Sequence, residues 1–132
     1  GVPNIHLNEI MPHKRFKIGD IDILPIEIMH DRLPILGYRL GQLAYITDMK
    51  TIDDAELSYL KGIDVLVVNA LRFEREHHSH NLVGDAINFS RKISARRTLL
   101  IHSCHQIGRH DVVNRMLPIG FELAYDGQVI TM

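Results

Sequence analysis

What the chain lacks narrows it first. Its 132 residues contain one cysteine, Cys104. No intrachain disulfide can form, and a cysteine-rich zinc finger is excluded. A lone thiol fits a reducing, cytoplasmic compartment. No apolar run approaches the roughly 18 residues that suggest a membrane-spanning helix, and no secretory signal is present. The formal charge of −1 gives no large positive field, which argues against a dedicated nucleic-acid or membrane-surface binder. Lys14-Arg15 and Arg96-Arg97 are short basic pairs suited to solvated surface. Gly37 and Gly41 do not form a glycine-rich phosphate loop. There is no internal repeat, low-complexity run or linker, so residues 1–132 read as one domain or part of one.

What is present is an ordinary apolar fraction of 45% and nine histidines, most of them in the second half. The first half reads as β-structure. A short strand is expected over 5–10, a turn at Met11-Pro-His-Lys14, and a tight turn at Gly19-Asp20. Ile21, Ile23, Ile26 and Ile28 have strand spacing, with Pro25 marking an edge or a bulge. His30 to Pro34 reads as a loop, followed by two strands joined at Gly41-Gln42. From Thr51 the pattern changes. A helix is expected with Leu57 and Leu60 on one face and Gly62 as its stop. Then come a buried strand at 65–68, a charged loop over 70–80, and a helix capped by Asn81 with Leu82, Ala86, Phe89 and Ile93 as its stripe. A strand at 98–101, a short helix at 110–117 and a closing hairpin of 121–125 with 129–132 complete the reading. The fold class is α/β, a meander followed by β-α-β-α-β.

Three apolar runs end on groups able to bind metal. Ile21 to Met29 ends on His30, Leu43-Ala-Tyr-Ile-Thr47 ends on Asp48, and Thr98 to Ile101 ends on His102. Imidazole nitrogen and carboxylate oxygen are usual ligands of zinc and also suit manganese or iron. Each residue could equally be a strand-end polar group satisfied by the backbone. The ends of strands are, however, where binding groups concentrate, and the expectation is that these three meet. His77, His78 and His80, with Arg72, form a second set. A histidine there could act as a general acid and the arginine could hold a phosphate; by residue type alone, a solvated loop is the simpler reading. His105 in His-Ser-Cys-His could support a ligand or merely start a helix. A Cys104–His105 nucleophile ranks low, because adjacent side chains rarely face one another.

Taken together, Ile26-Glu-Ile-Met-His30, Leu36-Gly-Tyr-Arg-Leu40, Leu43-Ala-Tyr-Ile-Thr-Asp48, Val65-Leu-Val-Val-Asn-Ala-Leu-Arg72, Leu100-Ile-His-Ser-Cys-His105 and Leu123-Ala-Tyr-Asp-Gly127 resemble the metallo-β-lactamase fold hydrolases. The similarity is to the branch with the cyclic phosphodiesterases of phosphonate breakdown, related also to tRNA-processing endonucleases. The resemblance implies metal ligation by His30, Asp48 and His102, with Asp48 bridging two zinc or manganese ions. It implies that His80 is a proton donor or substrate contact and that His105 lies near the site without being a ligand; with Arg72 as a phosphate holder, His105 is expected to contact the substrate.

The family's His-x-His-x-Asp-His string is not found in these residues; His77-His-Ser-His80 has a different spacing and no aspartate. The resemblance is therefore to the C-terminal half of an αββα sandwich, one mixed sheet with helices on one face. The chain opens at Gly1-Val-Pro-Asn4 without methionine and reads as a piece of a longer protein. The expected function is part of a metal-dependent phosphodiesterase using a metal-activated water, inactive alone. The alternative is a non-catalytic self-associating or partner-binding module. Half a sandwich would expose an apolar sheet face, so a homodimer or the missing half is expected to cover it. A small phosphodiester is the expected substrate of the complete protein, and nucleic acid is disfavoured.

Overall fold

The computed structural model describes residues 3–131. Strands form where β-branched and aromatic residues alternate or run together: β1 (Phe16–Ile18), β2 (Ile21–His30), β3 (Leu33–Leu40), β4 (Leu43–Ile46), β5 (Val65–Asn69), β6 (Arg97–Ile101) and β7 (Phe121–Leu123). They make one seven-stranded sheet whose spatial order is the chain order. β1 to β4 are antiparallel neighbours, and β4, β5, β6 and β7 run parallel. The meander needs only tight turns. The parallel part needs crossovers, and these carry α1 (Val83–Ile93) and α2 (His110–Met116).

Both helices pack on one face. Leu24, Ile26, Ile28, Ala44, Ile46, Leu66, Val68 and Leu100 from the sheet meet Val83, Ala86, Phe89, Ile93 and Val113 from the helices in one buried cluster. Along β5 the period of two sends Leu66 and Val68 inward, while Val65 and Val67 face the other side. Gly37 is demanded by this packing: a Cβ there would lie 3.1 Å from Ile46 Cγ1. A buried hydrogen bond of 2.6 Å between Ser90 and Thr98 pins α1 to β6. The second face is partly covered by the chain's own C-terminal segment, with Ala124 and Ile130 packed on Val65, Val67 and Leu99. The N-terminal segment is latched at His13, whose Nε2 lies 2.8 and 2.9 Å from the buried Glu56 carboxylate and whose ring stacks on Tyr59.

Several local expectations change. Residues 5–10 form no strand; Ile5 and Leu7 are exposed and find no ladder partner. The loop expected over 30–34 shrinks to Asp31-Arg32, because His30 pairs with Leu33. Pro25 is tolerated because β1 pairs with β2 only as far as Ile23. The helix expected after Thr51 is a short 3-10 turn, Glu56–Tyr59; Leu57 and Leu60 reach the core from this turn. Asn81 does not cap α1. Leu82 precedes the helix, and the Asp85 carboxylate accepts its N–H at 3.0 Å. The closing hairpin reduces to β7, which joins β6 in parallel; residues 129–131 are not a strand and residue 132 lies outside the described residues. Among the described residues no helix is long and apolar enough to cross a membrane.

Leu66 is fully buried between sheet and helices. Leu66→Ala is expected to lower unfolding free energy by about 2–5 kcal/mol, read as a lower urea midpoint at unchanged slope.

Candidate metal centre

The topology brings the strand ends together. β4, β5 and β6 are parallel and in step, so Ile46, Val68 and Leu100 lie side by side. β2 runs in the same direction as β4, because each is antiparallel to β3. All four therefore finish at one rim. The segment after β4 then crosses to the outer edge of β2, where Met29 N–H donates to Thr51 O at 2.9 Å and Lys50 N–H to Met29 O at 2.7 Å. This crossing sets Asp48 beside His30.

The His77–His80 loop is drawn to the same rim by backbone ties. Leu71 N–H donates to Asn81 O, Val83 N–H to Arg72 O, and Asn81 N–H to Met49 O. Ser79 and Asn81 are buried, so the loop is anchored, unlike the solvated loop that its composition suggests. His30, Asp48 and His80 each offer a ligand atom, all within 4.8 Å of one another. His80 Nε2 lies 3.2 Å from Asp48 Oδ1, and His102 Nδ1 lies 3.5 Å from the same oxygen. The His80 ring stacks on His102 with centroids 4.6 Å apart and meets His30 edge-on at 4.9 Å. His80 Nδ1 is in turn 3.1 Å from both Ser79 Oγ and His77 Nδ1, which fixes the ring's orientation.

This donor set fits a divalent metal ion. Ligand atoms about 2.1 Å from one ion, at a tetrahedral angle, lie roughly 3.4 Å apart. The separations of 3.2 and 3.5 Å around Asp48 Oδ1 match that spacing. His30, Asp48 and His80 are the group that could hold an ion; His102, expected as a ligand, reaches Asp48 but is outside that group. Asp48 and His102 also share an unusual backbone, with φ of 59° and 58°. Asp tolerates this region better than most residues, and the turn it makes lets the chain leave each strand at the rim.

The charges are coupled. Burial pushes the Asp48 carboxyl up, but the Thr47 hydroxyl, the hydrogen bond from His80 and the charges of His102 and His80 outweigh it, leaving Asp48 below its usual range. Burial pushes His80 down, and His102 and His30 add to this against the opposing pull of Asp48.

Other expected residues lie further out. Arg72 spends its guanidinium on its own surroundings, donating to Arg75 O at 2.9 Å and Gln106 Oε1 at 3.1 Å. His105 opens a 3-10 turn and is exposed. Cys104 is tied through its backbone N–H to Leu71 O. Two supporting residues escaped the sequence reading, Ser79 and Asn69. Asn69 is buried and hydrogen-bonds both backbone groups of Met49. Its signal was available: it is a polar residue closing a buried apolar strand.

Residues 1–103 match the family described as the beta-lactamase superfamily domain. The chain belongs to that superfamily. Its fold superposes on a diphosphatase of the PhnP family with a TM-score of 0.84 and 32% identity, over 91% of this chain and 46% of that one. It also matches the short form of human tRNase Z with a TM-score of 0.68 and 19% identity, over 88% of this chain and 44% of the other; this second likeness concerns the fold alone. A curated relative named octanoyltransferase, from Porphyromonas gingivalis (strain ATCC BAA-308 / W83), is 39% identical over 127 residues, which are 96% of this chain and 26% of that protein. The chain thus spans about half the length of these structural relatives and about a quarter of the curated one.

The direction of the His80 shift gives a pH prediction for metal-free protein. The unfolded chain, with His80 at its usual value near 6.5, binds the proton more readily than the folded chain. The contribution of His80 to stability is therefore complete above that value and is lost as pH falls through the lower folded pKa. Urea midpoints measured with chelator at about pH 7.5 and about pH 5.5 should fall on acidification, and His80→Gln should reduce that fall.

Proposed function

We propose that the chain is one half of a metal-dependent hydrolase that cleaves phosphodiesters, and that it corresponds to the C-terminal half of the complete domain. The observation that carries this reading is the convergence of His30, Asp48, His80 and His102 at one sheet rim. The diphosphatase relative supports phosphoryl chemistry. His30, Asp48 and His102 are proposed to hold zinc or manganese, with Asp48 able to share its carboxylate with a second ion whose other ligands would come from the other half. When bound, such ions polarise a phosphoryl oxygen and lower the pKa of water. His80 Nε2 and His102 Nδ1 both approach the same oxygen of Asp48, and in the complete site His80 is proposed to carry a proton to the leaving oxygen. Arg72 and His105, at the periphery, are proposed to meet the distal part of the substrate. The curated relative's name belongs to a protein about four times as long, and we assign this chain hydrolysis, not acyl transfer. The lone Cys104 suits a cytoplasmic setting.

The 132 residues contain no His-x-His-x-Asp-His string, so the chain alone is proposed to be inactive and to gain activity from the missing half. That partner would also cover the outer sheet face, where Ile23, Tyr38, Leu43 and Tyr45 line an apolar groove of about 890 Å³. A second copy of the chain is the alternative cover and would correspond to a self-associating, non-catalytic module. Zinc or manganese titration with a bis-aryl phosphodiester assay tests the reading. The chain should bind metal and turn over substrate only with an added N-terminal half, and Asp48→Ala should abolish turnover. Bound metal without turnover in the reconstituted pair argues against hydrolysis. Light scattering after size exclusion tests the cover: the isolated chain should self-associate, and a clean monomer at high concentration overturns that expectation.

A further inference from the structure

Asn69 ends β5 with no exposed surface. It is outside the group of ligand atoms, and its amide is spent on one neighbour. Oδ1 accepts Met49 N–H at 2.9 Å, and Nδ2 donates to Met49 O at 2.9 Å. Met49 directly follows Asp48, so the Asn69 oxygen holds the peptide unit that joins them. The orientation of that unit sets ψ of Asp48, whose φ is 59°. Aspartate visits this region more readily than most residues, and here the fixed orientation of the Met49 peptide selects it. The rest of Met49 is held too, its side chain buried in the core and its carbonyl also accepting from Asn81 N–H at 3.2 Å. The direction of the Asp48 carboxylate follows from this backbone frame. If φ relaxed, Cβ would swing and carry both oxygens away from His30, His80 and His102.

We propose that Asn69 is a positioning residue for Asp48: its amide clamps the Met49 backbone and so keeps Asp48 left-handed, with its carboxylate aimed at the three histidines. Only the binding part of the test rests on the metal-site reading above.

The test uses the 132-residue chain with Asn69→Leu, Asp48→Ala and the double variant. Zinc binding is followed by calorimetry, and the backbone angle at residue 48 by NMR couplings and chemical shifts without metal. Asn69→Leu should weaken zinc binding roughly 10–100-fold, the range for groups that orient ligands, and should move residue 48 out of the left-handed region. In the Asp48→Ala background the same change should leave the residual zinc affinity unaltered. A left-handed residue 48 that persists in Asn69→Leu, or an equal loss of affinity in both backgrounds, overturns the proposal. Should Asn69→Leu not fold, Asn69→Ser keeps one hydrogen-bonding group and is read in the same way, with a smaller loss. If the unmodified chain binds no zinc, the metal reading fails, and the backbone angle still decides the role of Asn69.

Discussion

The hydrogen-bond ladder that holds β4, β5 and β6 parallel and in step is the constraint on which the site depends. It aligns Ile46, Val68 and Leu100, and the polar residues that follow these strands meet because the ladder ends level. A slip of one residue would turn each inward side chain outward and would move Asp48 or His102 along the rim. The ladder is kept in register by what it buries. Ala44, Ile46, Leu66, Val68 and Leu100 face one helix-covered core, and a one-residue slip would take them out of that cover.

The rim itself is crowded. Asp48 and His102 both sit in left-handed backbone, and a carboxylate and several imidazoles share a small space. Such an arrangement persists only where neighbours over-determine it. The end of β5 does this on both sides. Asn69 reaches the backbone next to Asp48, and the Ala70 carbonyl accepts the hydroxyl of Ser103, next to His102, at 3.0 Å. β5 thus carries no proposed ligand and braces the two neighbouring ends that do. The mutual perturbation of Asp48 and His80 follows from the same crowding: partial burial raises the cost of isolated charge, and proximity makes each group part of the other's environment.

Much of this was legible in the sequence, for identifiable reasons. The β-branched runs at 21–29, 43–47, 65–68 and 98–101 have few alternatives to strands, and their terminal His30, Asp48 and His102 stand out against apolar neighbours. Gly41-Gln42 marked the turn between β3 and β4. What failed was local and depended on context. Leu57 and Leu60 carry helical spacing, yet a 3-10 turn already buries them. Ile5 and Leu7 have strand spacing, yet the segment makes no ladder pairing and both residues stay exposed. The residues near His80 looked solvated because composition cannot show backbone ties such as Leu71 to Asn81. The contact between His80 and Asp48 joins residues far apart in the chain, and only the fold supplies it.

The strands stand in the sheet in the order in which they occur in the chain. A polypeptide emerging from its N-terminus can therefore lay each strand on an edge that already exists, with no gap left for a later one to fill. The early pieces are hairpins with short loop closures; each parallel addition waits for its crossover. β7, the last strand among the described residues, has only three residues. His30 and Asp48 are in place well before His102 is made, so the rim is completed only as the last parallel strands arrive.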